Sequence, residues 1–106
     1  MVADYLEENG HRIVARNFRT PFYEIDIISI KDEHIYFTEV KYRRDEFRGT
    51  AIEMITNEKL KQMTFAAESF LKYQPDLAKI YSPLLAGAAV FGRDFCLREW
   101  FVINEI

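Results

Sequence analysis

Cysteine is almost missing from this chain of 106 residues: Cys96 stands alone, so no intrachain disulfide can form. It falls in an apolar run, where a free cysteine is expected to be a small core residue. No local base marks it as a nucleophile. Proline and glycine are scarce as well, three and four residues, and no repeat, linker or low-complexity tract interrupts the chain. Disorder is not expected except at the ends. Long hydrophobic runs are also lacking. The longest uncharged stretch, Ile80 to Gly92, is too short for a bilayer-spanning helix, which takes about 20 residues. The opening MVADYLEENG has neither the basic nor the apolar region of a signal peptide. A soluble, reducing, cytoplasmic setting is expected.

Positive charge is not in excess either. The net charge is −3 and the pI about 5.4, whereas nonspecific nucleic-acid binders usually exceed roughly 9. Any nucleic-acid contact must therefore rest on a local basic patch. Signature motifs are few: there is no phosphate loop, GxGxxG, CxxC or HExxH, which disfavours nucleotide-cofactor and zinc-protease readings. His11 and His34 sit at strand edges without metal-ligand spacing and read as surface residues. What is present is apolar mass, 49% of residues with 15% aromatic. That suffices for a real core, and the length suits one domain over residues 1–106.

Periodicity gives the order α-β-β-β-α-β-β, an α/β fold with a mixed sheet flanked by helices. Residues 1–9 read as a short helix with Ala3 and Leu6 inward and Gly10 as its C-terminal cap. Residues 11–19 alternate as a strand, with Ile13, Ala15 and Asn17 on one side and Val14, Arg16 and Phe18 on the other. Thr20-Pro21 breaks it. Two strands follow, about 22–30 and 35–43. Residues 50–73 carry a helical stripe of Ile52, Ile55, Met63, Ala66, Ala67, Phe70 and Leu71. Asn57 could instead cap a helix starting near Glu58, leaving 50–56 as a turn. Gln74-Pro75-Asp76 ends the helix. Strands over 84–91 and 95–103, joined around Gly92-Arg93-Asp94, complete the chain.

The central hairpin carries the chemistry. With Asp32-Glu33 as the turn of YEIDIISIKDEHIYFTEVKYRR, antiparallel partners have numbers summing to 65. One face then holds the pairs Ile30–Ile35, Ile28–Phe37, Asp26–Glu39 and Glu24–Lys41. The other holds Tyr23, Ile25, Ile27 and Ser29 with Tyr36, Thr38, Val40 and Tyr42. Carboxylates opposed across a ladder repel, which makes sense if a divalent cation lies between them. Mg²⁺ takes oxygen ligands, usually one or two carboxylates plus waters and phosphate oxygens. Asp26 and Glu39 would supply the carboxylates and Val40 a backbone carbonyl. Lys41 would orient or deprotonate the attacking water. Glu24 would hold Lys41 or reach a second metal. The bland alternative is a surface hairpin with Glu24–Lys41 as an ordinary ion pair. On the same pattern, exchanging Asp26 for Asn should be neutral or stabilising without metal.

Asp26, a hairpin, then Glu39-Val40-Lys41 matches the signature of PD-(D/E)XK, restriction-endonuclease-like nucleases. The ordered set NGHRIVARNFR, EIDII, FTEVKYRR and a lysine-bearing helix with AAESFL resembles the small bacterial YraN family, from about Ala3 to Glu105. The resemblance implies a three-layer restriction-endonuclease-like fold, as in Holliday-junction resolvases. It also implies Mg²⁺ or Mn²⁺ and nucleic acid, DNA foremost, as substrate. Its pattern places a lysine at Lys59, read either as a phosphate or active-site contact or as a snorkelling side chain. The chain departs from the family in several places. It lacks the Gly-Glu that opens the pattern, has Tyr23 before EID, Thr38 before Glu39, and Ala86-Gly87-Ala88 where Arg-Phe-Asp is usual.

Arg43, Arg44 and Arg48, with Arg16 and Arg19, would form a phosphate-binding rim. Asp45 and Glu46 dilute that run, so a solvated loop is an equal reading. Tyr42 and Phe47 are expected in the core, with base stacking as the alternative. The leading expectation is a metal-dependent nuclease acting on branched or damaged DNA. The alternative is a nucleic-acid-binding or scaffold protein of the same fold without catalysis. A third reading is a small structural domain of a larger complex. A homodimer fits any of these.

Overall fold

The computed structural model describes residues 2–43, 55–91 and 96–106, with side chains at all of these except 43 and 96–98. The elements are α1 (Val2–Glu8), β1 (Arg12–Arg19), β2 (Glu24–Lys31), β3 (His34–Arg43), α2 (Asn57–Tyr73), α3 (Pro75–Ile80), β4 (Ser82–Phe91) and β5 (Cys96–Glu105). The short α3 was not expected; Pro75 opens it at the first helical position, where its missing N–H is no loss. The expected core place of Cys96, the helical position of Ile52 and the turn at 92–94 lie outside what is described.

Strands stack in the order β1-β2-β3-β4-β5. The first three form an antiparallel meander, β4 runs parallel to β3, and β5 returns antiparallel. A parallel step needs a crossover connection, and α2 and α3 lie within it. Helix α2 packs Met63, Ala66, Ala67 and Phe70 onto Ile28, Ile30, Ile35, Phe37 and Leu85. Helix α1 packs Val2, Ala3 and Leu6 onto Ile27, Ala88 and Val90 on the other face. The result is a three-layer α/β fold. Strand β4, covered on both sides, reads as an unbroken apolar run for that reason. Phe70 meets Phe18 and Phe37 edge-on, with ring centroids 5.2 and 5.9 Å apart. Burying a ring such as Phe37 contributes about 1.5–3 kcal/mol.

Local chemistry sets the boundaries. Gly10, at φ +90°, closes α1 where other residues would be strained. Thr56, one residue before the expected cap, receives the Lys59 backbone N–H at 3.1 Å and starts α2. The β2–β3 turn falls at Asp32-Glu33, with Asp32 at φ +53°, a conformation aspartate tolerates. Ladder partners near it are those expected, Ile30–Ile35 and Ile28–Phe37.

Three expectations are corrected. Alternation along β1 fails, because a bulge falls between Ile13 and Ala15, so Val14 and Ala15 both pack on the α2-side core. His11 is no surface residue: it is 7% exposed, and its Nδ1 lies 2.9 Å from the Ser29 hydroxyl. The Tyr36 and Trp100 rings flank it at 4.9 and 5.2 Å. Burial, aided by Lys31, holds its pKa below the usual value. Tyr42 lies outside the core, 62% exposed.

Candidate functional site

Strands β2 and β3 stay paired through Ile27–Thr38 and then part. Beyond that point β3 follows β4 as far as Arg43–Phe91, while β2 follows β1 to Arg19–Glu24. Each inner strand thus keeps a different partner, and a gap opens at the next position. Asp26 fills it. Its Oδ2 accepts the Val40 backbone N–H at 2.7 Å, a bond that the ladder no longer supplies. Ile25 packs on the α2 side and Ile27 on the α1 side. Strict alternation therefore breaks across Asp26, and its carboxylate lies between the strands rather than on one face with Ile28.

Glu39 stands on the α2 side of β3 and is only 6% exposed. Its Oε1 is 3.3 Å from Lys59 Nζ and 3.6 Å from Lys41 Nζ. Across the parallel ladder its partner is Gly87. A methyl group there would come within 2.7 Å of the Phe101 ring and 2.8 Å of Ile55. The glycine lets these apolar groups close over the strand beside Glu39.

Burial raises the Glu39 pKa, and neighbouring Asp26 adds to the rise, against the pull of Lys59 and Lys41. Asp26 is also raised, first by burial and then by Glu24, opposed by the Val40 N–H and the two lysines. Desolvating two acids this way costs free energy unless cations compensate. Lysines from two elements converge here to do so. The Lys59 ammonium reaches the buried Glu39 carboxylate.

Some expected partners separate. Glu24 does not pair with Lys41; its Oε2 is 3.3 Å from Arg19 Nε, because the Arg19–Glu24 ladder pair brings those residues together. Arg16 approaches Glu7 at 4.0 Å. Arg16 and Arg19 are thus both near acids, while the Arg43 side chain, Arg44, Phe47 and Arg48 lie outside the described residues. The unusual Thr38 has a local reason: it is fully buried, and its hydroxyl accepts the Trp100 indole N–H at 3.2 Å. Buried tryptophan seeks such a partner. That pairing was not anticipated, although the lone polar residue before Glu39 was its signal.

The residues that could hold a cation are Asp26 and Glu39, with the Val40 carbonyl as a third oxygen. Among the described residues no three His, Cys, Asp or Glu side chains cluster as a metal site. Two carboxylates suit Mg²⁺ or Mn²⁺, which keep several waters, and do not suit a closed zinc site.

A family model, described as "Uncharacterised protein family UPF0102", matches residues 1–91. The chain belongs to that family. UPF0102 is the YraN family whose pattern the motifs resemble. A UPF0102 protein of Vibrio parahaemolyticus is 40% identical over 74 residues, covering 70% of this chain and 61% of that one. One from Syntrophomonas wolfei is 39% identical over 75 residues, 71% of this chain and 65% of the relative. One from Desulfosudis oleivorans reaches 44% over 68 residues, 64% and 55%. The chain spans less than two thirds of the length of these UPF0102 relatives. No helix among its described residues is long and apolar enough to cross a membrane.

Proposed function

We propose that this UPF0102 protein is a divalent-metal-dependent nuclease hydrolysing phosphodiester bonds in DNA, with branched or damaged DNA as the preferred substrate. One observation carries this reading: two acids with raised pKa values and two lysines converge where β2 and β3 part. Asp26 and Glu39 would hold the metal. A bound Mg²⁺ or Mn²⁺ would polarise a phosphate oxygen and acidify a water. Lys41 would orient the attacking water and balance charge developing on the phosphate. Lys59, already directed at Glu39, meets the same phosphate from α2.

The test is cleavage of duplex, single-stranded and branched DNA with Mg²⁺ or Mn²⁺. Asp26→Asn and Glu39→Gln should each lower the rate by at least about a hundredfold, as loss of transition-state charge stabilisation does. Unchanged cleavage in both variants would sink the assignment. A second readout is independent of activity: metal should raise the melting temperature of the wild type, and not of Asp26→Asn.

One observation favours a second reading, a nucleic-acid-binding or scaffold role. Glu39 Oε1 is already engaged by both ammonium groups, which compete with a metal. That reading predicts DNA binding unaffected by metal, with no cleavage.

A further inference from the structure

On the α1 side of the sheet, a cavity of about 250 Å³ opens directly beside Asp26. Part of its lining is apolar, from Ala3, Ile27 and Val40. Asn17, Asp26 and Tyr42 also line it. Drug-sized ligands occupy pockets of roughly 300–1,000 Å³, so this one suits a single ring system.

Two features say which kind. Arg16 is the cation on its wall, but it approaches Glu7 and shares the cavity with the Asp26 acid. An isolated anion gains little from such a mixed wall. A neutral planar group with hydrogen-bonding edges fits both the apolar lining and the polar rim. Asn17 adds an independent sign, since it holds φ +52° inside β1. Left-handed backbone in a strand interior is uncommon, and such conformations gather at ligand sites. Here it occurs at a residue that lines the cavity.

We propose that this cavity receives one unpaired nucleobase, held between the Tyr42 ring and the apolar lining and read at its edge by Asn17. Extruded bases are bound in this way, by stacking plus hydrogen bonds to the base edge. The inference rests on the nucleic-acid substrate proposed above and sharpens it: strands with unstacked nucleotides are preferred because one base is lodged beside the carboxylates.

The experiment uses oligonucleotides carrying a single 2-aminopurine, either bulged or fully paired, in metal-free buffer so that no strand is cut. Binding should raise the emission of the bulged probe and leave the paired one dim. Tyr42→Ala should weaken bulge binding about tenfold, the loss of one stacking contact. Asn17→Gly, which keeps the left-handed backbone, should weaken it about fivefold, the value of one hydrogen bond. Equal affinity for bulged and paired probes, unchanged emission, or wild-type emission and affinity in both variants would overturn the proposal. These readouts are separate from the nuclease test. Cleavage abolished by Glu39→Gln but indifferent to Tyr42 and Asn17 refutes the base pocket alone, whereas base capture without any cleavage refutes the nuclease alone.

Discussion

Asp26 serves two purposes at once, and they pull in opposite directions. Its charge is poorly solvated and repelled by Glu39 and Glu24, yet its Oδ2 completes the hydrogen bonding of the Val40 N–H. Asparagine keeps an acceptor oxygen and removes the charge, so Asp26→Asn should melt at or slightly above the wild-type temperature in metal-free buffer. Alanine leaves the Val40 N–H without its partner, and Asp26→Ala should lose about 1–3 kcal/mol. Denaturant unfolding of the two variants checks this; equal stabilities would mean that the Val40 bond contributes nothing. The charge repulsion was readable from the hairpin pattern. The backbone bond was not, because it exists only where the ladder has already ended.

At the scale of elements, Gly87 decides how β4 supports β3. Glycine inside a strand normally weakens it and marks a close approach of another group, and here that group is the Phe101 ring from β5 together with Ile55. Gly87→Ala should destabilise the fold by about 1–3 kcal/mol, the range for overpacking a filled core. It should also loosen the apolar cover next to Glu39. Thermal melting measures the first effect. A variant as stable as the wild type would show that Phe101 and Ile55 move aside freely. Strand and helix periodicity made α2 and the hairpin register near Asp32-Glu33 legible, since those rest on contacts close in sequence. The β1 bulge and the break of alternation at Asp26 were hidden, because each follows from which neighbour a strand keeps.

For the whole molecule, acid sensitivity joins groups of opposite sign, the buried His11 and Glu39 and the half-buried Asp26. His11 has a folded pKa below its ordinary value of 6.5, so the unfolded chain takes up the proton first. Its contribution is fully present above that pH and is lost as pH falls below it, down to the folded value. Asp26 and Glu39 have raised values, so the folded chain keeps protons that the unfolded chain has released. Their contribution grows as pH falls into the carboxylate range and is lost as pH rises through their folded values. Near neutrality the His11 effect is met first. Melting temperature should drop between pH 7.5 and 5.5 in the wild type and drop less in His11→Gln, which cannot titrate. Parallel curves for the two proteins would remove His11 from this role. Sequence pattern placed His11 at a surface edge, because nothing near it in the chain announces that Ser29, Tyr36 and Trp100 will enclose it.

Residue order by itself determined the α/β class, the hairpin and its turn, the α2 stripe and the nearness of Lys41 to Glu39. These depend on alternation, helical period and turn chemistry, all of them local. Only the tertiary structure decided that β2 and β3 part at Asp26, that Lys59 reaches Glu39 while Glu24 turns to Arg19, and that Phe101 and Ile55 close over Gly87, the ladder partner of the buried Glu39. Those outcomes depend on which strand claims which neighbour and on what packs over the sheet. Such choices are made between segments far apart in the chain, where burial and pairing compete for the same backbone.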